Sequence, residues 1–337
     1  MACYKPLKAW QSHAGKVVIL KNTNGQAARA PGLGGDKHRD LQLPCGQCIG
    51  CRIDKTKMWA ARCVHEASQH DENSFITLTI DPKLLTKNGQ KTLQNGAAAK
   101  RAIDGLASCP NTARHRRALT QEHKTKTNQL TLSKRAHQLF IKRLRKHIQP
   151  KKLAFFMCGE YGAKLTNPHY HYLIFGHNFA DKMYIKKSRA KKLYESPTLN
   201  KLWPHGLAWI GDVTPESAEY VAGYVMKKIT GKKAPDHYKG LTPEFGLMSR
   251  NPAIGRTWIE QFATEVYTHD KVYKQDFGQK PPRYYDNYLK KNNEPLYNTI
   301  KEKRQKEAEK STDNTPARLQ AREIYATAKA NLKTRTL

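Results

Sequence analysis

The stretch "TNPHYHYLIFG", residues 166–176, places His169 and His171 two positions apart at the start of an apolar run. Because residues i and i+2 of a strand point to the same face, both imidazoles can meet one metal ion if this run is a β-strand. Random placement of the histidines would give about 0.6 such pairs, so the pair alone is a weak motif. An edge strand with two exposed histidines is the alternative interpretation.

Glu160 ends the preceding apolar stretch "KLAFFMCGE", residues 152–160. The turn-forming "YGAKLTNP" separates this stretch from the histidines, so we predict a β-hairpin that places Glu160 beside them. Two imidazoles and one carboxylate make a mixed nitrogen–oxygen site for a divalent metal ion, with coordination positions left open. Taken alone, Glu160 is equally explained as a solvated strand end.

The motif "YVAGYVMKK" places Tyr220, Tyr224 and Lys227 at i, i+4 and i+7, which forms one stripe of a helix. Aromatic residues at this spacing are more often core than catalytic, but lysines extend the stripe and buried unpaired lysine is rare. A phenol can attack phosphorus and hold it covalently. Its pKa is ordinarily about 10, so it needs a nearby cation, and Lys227 is placed to supply one.

Together these parts suit attack on a DNA phosphodiester. A metal ion would polarise a non-bridging oxygen and orient the phosphate, and a tyrosine would attack in line. The expected products are a 5′-phosphotyrosine and a free 3′-hydroxyl.

The overall charge points to the same class of partner. The chain has 337 residues with 60 Lys and Arg against 28 Asp and Glu, a formal charge of +32, which predicts a polyanionic partner. We find no apolar run long enough for a transmembrane helix and no signal peptide in "MACYKPLKAW", so we expect nucleic acid and no membrane. A non-catalytic, basic single-stranded nucleic-acid-binding protein that stacks bases on Trp203 and Trp209 is the competing class.

A third motif is a cysteine cluster with CxxCxxC spacing, Cys45, Cys48 and Cys51. Seven cysteines without a secretion signal predict a reduced, cytoplasmic protein. Cys63 or His65 could complete four ligands for a structural Zn²⁺, although such sites commonly use two separated pairs. The spacing also admits an iron–sulfur cluster, and three reduced thiols in a tight turn are the alternative without metal.

Hydrophobic periodicity predicts the elements that must position these side chains. Helices are expected over about 53–69, from the cap Ser133 onward, and from Thr214 and Pro215 onward. Strands are expected at 74–80, at 152–160, at the histidine stretch and at 205–213, with a lysine-rich excursion at 182–192.

Three segments follow from these elements. Residues 1–70 form an N-terminal segment with the cysteine cluster, and residues 71–260 form the nuclease core with a polar surface insertion at about 86–130. Residues 261–337 are a charged tail that is expected to be disordered in part, with solvated helices that build no core. The basic tail is expected to add sequence-independent phosphate contacts.

In order along the chain, "FITLTI", "NPHYHYLIFG" and "YVAGYVMKK" resemble the three motifs of HUH endonucleases of the rolling-circle replication initiator type. "CYKPLKAW", "PCGQCIGCR" with "WAARCVHEA", and "EFGLMSRNPAIG" are similar to the replication-initiation proteins of small single-stranded-DNA bacteriophages, the microviruses, and in particular the gokushovirus group. The resemblance covers about residues 1–260, and the paired tyrosines are its most specific feature.

The resemblance implies an α+β fold with a central antiparallel sheet and flanking helices. It implies nicking at a replication origin, with one tyrosine cleaving and the other receiving the strand so that ligation releases a circle. By position, His169 and His171 match the metal-binding pair. The residues that match the nucleophiles and their accompanying lysine are Tyr220, Tyr224 and Lys227.

The expected cofactor is Mg²⁺ or Mn²⁺, with structural Zn²⁺ at the cysteine cluster. The expected partners are single-stranded DNA, replication-origin DNA and host replication proteins such as helicase and polymerase. The expected location is the cytoplasm of the bacterial host.

Overall fold

The computed structural model of the protein describes residues 3–20, 22–23, 26–27, 37–81, 130–162, 167–188, 191–224, 228–229, 234–274 and 277–332. The polar insertion predicted at about 86–130 lies outside these residues except for Leu130. None of the helices in the described ranges combines the length and apolarity needed to span a bilayer.

The described strands are, in chain order, β1 (Leu7–Ser12), β2 (Val17–Ile19), β3 (Asn22–Thr23), β4 (Gln26–Ala27), β5 (Lys37–Leu43), β6 (Asn73–Thr79), β7 (Ala154–Tyr161), β8 (Pro168–Phe175), β9 (Met183–Ser188), β10 (Lys191–Glu195), β11 (Ala208–Gly211), β12 (Phe245–Met248), β13 (Val272–Lys274) and β14 (Phe277–Gln279).

The described helices are α1 (Ile49–Ala67), α2 (Lys134–His147), α3 (Pro197–Leu202), α4 (Pro215–Tyr224), α5 (Ala234–Tyr238), α6 (Arg256–His269), α7 (Arg283–Asn292), α8 (Glu294–Glu309) and α9 (Pro316–Leu332), with a 3₁₀ turn at Thr312–Asn314.

The chain forms two compact units that differ from the three predicted segments. The first unit combines Met1–Lys55 with Asn298–Leu337, and the second is Thr56–Tyr297. The first unit contains an antiparallel sheet in the order β2-β1-β5 and the short pair β3-β4. The second unit contains the candidate active site.

The second unit is built on a seven-stranded sheet in the order β12-β7-β8-β6-β11-β10-β9. Every pairing in it is antiparallel, and helices flank it, as the resemblance implied. The predicted hairpin of β7 and β8 is confirmed, and its register pairs Glu160 with His169. β8 lies between β7 and β6, so the alternative of an exposed edge strand is excluded.

Both faces of the sheet carry a hydrophobic core. On one face, Tyr170, Tyr172 and Ile174 of β8 join a cluster that includes the buried stripe of α2. On the other face, Leu173 and Phe175 join a cluster with residues of α1 and α4. Because side chains alternate along a strand, the face that holds Leu173 and Phe175 also holds the two histidines.

Helix α2 begins where its cap was predicted. The Ser133 hydroxyl oxygen accepts a hydrogen bond from the Ala136 amide at 3.1 Å, which satisfies one of the unpaired amides of the first turn. Ala136, Phe140 and Leu144 are buried along one stripe of the helix. The lysines and arginines therefore occupy its outer face.

Two of the sequence predictions need correction. The lysine-rich excursion at 182–192 contains the β9-β10 hairpin, which extends the sheet beyond β11. The region beyond 261 does form helices, but it also buries Tyr267, Tyr285 and Leu289. These few aromatic and aliphatic side chains supply the apolar area needed for packing, although the mean polarity of the region hides them.

Two of the stretches that carry the resemblance pack together. The Arg62 guanidinium on α1 donates to the Ile254 carbonyl oxygen at 2.8 and 3.0 Å, and a Glu66 carboxylate oxygen accepts from the Gly255 amide at 2.6 Å. Gly255 has φ of 75°, and a Cβ there would lie 2.5 Å from the Tyr285 hydroxyl oxygen. The position therefore requires glycine, both for its backbone conformation and for space.

Candidate active site

Three adjacent strands position the candidate metal ligands. In the sheet, His169 lies between Thr79 of β6 and Glu160 of β7, and His171 lies between Thr77 and Cys158. Directly paired residues of neighbouring strands share a face. The sheet thus gathers two imidazoles, a carboxylate and two threonine hydroxyls on one side.

Each imidazole is held by a threonine that the sequence prediction did not include. The distance from the Thr79 hydroxyl oxygen to Nδ1 of His169 is 3.1 Å, and the same distance separates Thr77 from Nδ1 of His171. When Nδ1 carries the proton, the threonine oxygen accepts it and Nε2 keeps the lone pair that binds a metal. The alternating threonines of "FITLTI" were the available sequence signal.

Glu160 is buried rather than a solvated strand end. It is 5% exposed, and its Oε1 lies 3.0 Å from Nε2 of His171, which is also buried. A carboxylate removed from water needs such a partner because desolvation strongly disfavours its charge. The carboxylate and the imidazole are therefore adjacent, as predicted.

His169 lies at the more open end of the site. Burial chiefly, and then the charge of His171, lower the pKa of His169, while Glu160 acts in the opposite direction. The neutral form, which is the one that binds a metal, is thus favoured near neutral pH. Within the described ranges, only the cysteine group discussed below brings three or more candidate ligand atoms all within 4.8 Å of one another, so the His169, His171 and Glu160 set is more open than that group.

Helix α4 brings both tyrosines to the histidines. The Thr214 hydroxyl oxygen accepts from the Ser217 amide at 3.2 Å, and the Ser217 hydroxyl oxygen accepts from the Thr214 amide at 2.8 Å, which fixes the start of the helix. The Tyr224 ring stacks on His171 with centroids 5.3 Å apart, and the Tyr220 ring meets His171 edge-on at 5.1 Å. The Tyr224 hydroxyl donates to that of Tyr220 at 2.5 Å.

The environment keeps both phenols protonated. Burial is the main cause that raises the pKa of Tyr220 and of Tyr224, and the nearby Glu160 charge raises both further. For Tyr220 the hydrogen bond from Tyr224 opposes the shift. A positive charge placed at the histidines and Glu160 would offset the effect of Glu160 and favour the phenolate. Lys227, the predicted source of such charge, lies outside the described residues.

The cysteine cluster has a different fourth member from the two that were predicted. Cys45, Cys48 and Cys51 meet Cys3, and the four sulfur atoms all lie within 4.8 Å of one another. Cys3 is 42 residues from Cys45, so spacing gave no signal for it.

Cys63 and His65 lie elsewhere, so the prediction that either of them completes the set is wrong. Cys63 is fully buried in the apolar cluster between the sheet and α1, and the helix carries it about 18 Å along its axis from Cys51. His65 stacks on Trp258, and its Nδ1 lies 2.9 Å from the Tyr285 hydroxyl oxygen.

The two tryptophans proposed as base-stacking platforms differ in exposure. Trp203 is 1% exposed, and its indole N–H donates to the Thr79 carbonyl oxygen at 3.2 Å, so it is a core residue. Trp209 is half-buried and pairs with Thr77, which places it on the active-site face of the sheet. The Lys186 ammonium lies 5.0 Å from its ring centroid.

Comparison with known proteins places this geometry in a biological setting. A family model described as "Replication-associated protein ORF2" matches residues 117–229, which include both histidines and both tyrosines. The replication-associated protein VP4 of Bdellovibrio phage phiMH2K is 29% identical over 87% of this chain and 78% of its own length. The replication-associated protein ORF2 of Spiroplasma virus 4 is 29% identical over 92% of this chain and 88% of its own.

A third relative, the replication-associated protein ORF4 of Chlamydia phage 1, is 24% identical over 76% of this chain and 55% of its own length. No solved structure matches the chain. These findings confirm the resemblance to microvirus replication proteins, and they support a role in the initiation of viral replication.

Proposed function

We propose that this protein is a site-specific single-strand DNA endonuclease and strand transferase that nicks a replication origin and starts rolling-circle replication. The convergence of Glu160, Tyr220 and Tyr224 on His171 carries the proposal. Packing alone does not account for a buried carboxylate that contacts an imidazole beside two buried phenols, because each polar group adds a desolvation cost.

The donor set suits a divalent metal ion. His169, His171 and Glu160 would hold Mg²⁺ or Mn²⁺, with Thr77 and Thr79 fixing the orientation of the imidazoles. When bound, the ion would polarise a non-bridging oxygen of the scissile phosphate and orient that phosphate.

The tyrosines supply the nucleophile. The Tyr220 or Tyr224 oxygen forms a bond to phosphorus while the bond from phosphorus to the 3′-oxygen breaks, and the leaving oxygen ends as a 3′-hydroxyl. The 5′-phosphate then stays on the tyrosine. The second phenol, one helical turn away, can cleave the regenerated origin, and the released 3′-hydroxyl attacks the first phosphotyrosine to close a circle.

The partners and the setting follow from the same proposal. Host polymerase would extend the 3′-hydroxyl with help from a host helicase, in the cytoplasm of the bacterial host. Lys227 would supply positive charge near the attacking phenol.

A non-catalytic, single-stranded nucleic-acid-binding protein is the second candidate. Trp209 with Lys186 above its ring suits the stacking of a base, which favours this candidate. It gives no role to the buried Glu160 and His171 pair. A metal-dependent nicking assay on single-stranded DNA separates the two functions.

The decisive test replaces the phenols and keeps their rings. We expect the Tyr220→Phe, Tyr224→Phe double variant to lose covalent DNA adduct by at least about a thousandfold, because a phenyl ring has no nucleophile. Each single variant should keep some adduct but fail to circularise an origin-like strand. The wild-type adduct should need Mg²⁺ or Mn²⁺, and mass spectrometry should find the nucleotide on Tyr220 or Tyr224.

Tyr184→Phe is the matched control, since Tyr184 is an exposed tyrosine of β9, and it should form adduct at the wild-type level. The His169→Ala, His171→Ala variant should lose nicking and keep most salt-sensitive DNA binding. Full adduct from the double Phe variant, or full activity in excess chelator, would contradict the proposed mechanism.

A further inference from the structure

Four cysteines converge at the start of α1, in the first compact unit. Cys45, Cys48 and Cys51 lie in the turn that leads into the helix and in its first residues, and Cys3 approaches from the segment before β1. The four sulfur atoms all lie within 4.8 Å of one another. Cys3 and Cys48 are buried and the other two are half-buried.

The sulfur separations fit a single tetrahedral ion. A tetrahedral site with Zn–S bonds of about 2.3 Å places its sulfur atoms about 3.8 Å apart. The Sγ atoms of Cys3 and Cys48 are 3.9 Å apart. An iron–sulfur cluster would hold its thiolates farther apart because each of them binds a different iron atom.

Backbone amides point at these sulfur atoms. The Cys45 amide donates to Sγ of Cys3 at 3.2 Å, and the Cys48 amide donates to Sγ of Cys45 at 3.3 Å. Cys48 accepts from the Tyr4 and Cys51 amides at 3.4 and 3.5 Å. Amide donors stabilise sulfur in its negatively charged form, which is the form that binds a metal.

We propose that Cys3, Cys45, Cys48 and Cys51 bind one Zn²⁺ as a structural four-thiolate site. The site ties the segment before β1 to the junction of β5 with α1, which are 42 residues apart at Cys3 and Cys45. Such a link restrains the start of the chain, and it leaves no coordination position for a substrate. Its role is therefore structural and separate from the chemistry at the histidines.

The experiment uses the full chain purified under reducing conditions, with metal content and thiol reactivity as readouts. We expect one Zn per chain by mass spectrometry of the elements. Alkylation mapping should find the four cysteines protected in the native protein and reactive after chelation. Replacing Zn²⁺ by Co²⁺ should give the absorption of a tetrahedral thiolate complex.

Two variants distinguish the proposed ligand from the predicted one. Cys3→Ser should weaken Zn²⁺ affinity on the order of a hundredfold or more, because one of four ligands is lost. Cys63→Ala should keep one Zn per chain. Because Cys3→Ser could misfold, the alkylation map of the wild-type chain provides a second criterion.

Three results would overturn the proposal: iron in place of zinc, a disulfide among these cysteines in the reduced preparation, or Zn²⁺ lost from Cys63→Ala and kept by Cys3→Ser. Native thiols that react fully without a chelator would do the same.

Discussion

At the scale of single residues, the candidate chemistry depends on neighbours that hold the ligands in place. A histidine side chain can present either ring nitrogen, and the hydrogen bond at one nitrogen selects which of them binds a metal. Thr77 and Thr79 each occupy the Nδ1 side of an imidazole. They are therefore positioning residues for the proposed Mg²⁺ or Mn²⁺ site.

We predict that Thr77→Val with Thr79→Val raises the metal concentration needed for half-maximal nicking by about 10- to 100-fold. Valine keeps the branched shape on the strand but removes the oxygen that fixes each ring. A titration of nicking rate against Mn²⁺ measures the effect. At saturating Mn²⁺ the variant should recover most of its rate.

The Thr77→Ser, Thr79→Ser variant is the control, because serine retains the hydroxyl and should stay close to the wild-type metal requirement. A valine variant with an unchanged Mn²⁺ requirement would show that the threonines do not position the ligands.

Sequence reasoning placed five residues of the site together and missed its support. His169 and His171 follow from strand alternation, Tyr220 and Tyr224 from helical spacing, and Glu160 from the expected hairpin. The threonines and Cys3 are neighbours only through pairings between distant segments. Local periodicity carries no information on such pairings, so spacing in the sequence could not find them.

At the scale of the elements, the strength of the hydrophobic pattern decided which predictions held. The apolar runs of β6, β7 and β8 and the amphipathic face of α2 were predicted correctly because burial on the sheet demands those patterns. The β9-β10 hairpin is formed by a lysine-rich sequence with exposed side chains, so it has no such pattern. Tertiary pairing with β11 determines its structure instead.

Two elements also bury a histidine that no proposed chemistry uses. His137 on α2 lies with its Nδ1 3.0 Å from the Tyr172 hydroxyl oxygen, and His65 on α1 packs under Trp258. Burial lowers the pKa of each of these histidines to about 4. Both are therefore neutral in the folded protein over a pH range in which an unfolded chain would protonate them.

This difference predicts acid sensitivity of the second unit. An unfolded histidine titrates near pH 6.5, so the stability from each neutral histidine is fully present above that pH and is lost as the pH falls toward about 4. Each histidine should lower the free energy of unfolding by about 2 kcal/mol between about pH 7.5 and about pH 5. Urea unfolding followed by tryptophan fluorescence at the two pH values measures the loss.

His137→Gln provides the comparison, since glutamine cannot gain the proton. The variant should show a pH-dependent loss about 2 kcal/mol smaller than that of the wild type. Identical losses in the two proteins would exclude His137 as a source of the acid sensitivity.

At the scale of the whole molecule, the charge is unevenly distributed. Residues 261–337 hold 16 Lys and Arg against 10 Asp and Glu, so this region contributes only +6 of the total +32. Helix α2 alone has six Lys and Arg and no acidic residue, whereas α8 has four of each sign. A polyanion is attracted most strongly where positive charge is not cancelled locally, which favours α2 over α8.

We therefore predict that the salt dependence of DNA binding comes more from α2 than from the charged tail. Replacing Arg135, Lys142 and Lys146 by Gln removes three exposed charges from the outer face of α2. For single-stranded DNA, each lost phosphate contact reduces the slope of log K against log salt by about 0.7, so the expected change is up to about 2. Fluorescence anisotropy over a range of salt concentrations gives the slope.

The matched variant replaces Lys301, Lys303 and Lys306 of α8, which are also exposed, and it should change the slope by less because acidic residues already surround them. At saturating DNA, the α2 variant should form the tyrosine adduct at the wild-type rate. The reason is that α2 packs against the sheet face opposite the histidines, so its charges can attract DNA without touching the scissile phosphate. A larger slope change from the α8 variant would instead assign non-specific DNA binding to the tail, as the sequence first suggested. A slow adduct rate in the α2 variant at saturation would mean that these charges act on the reaction itself.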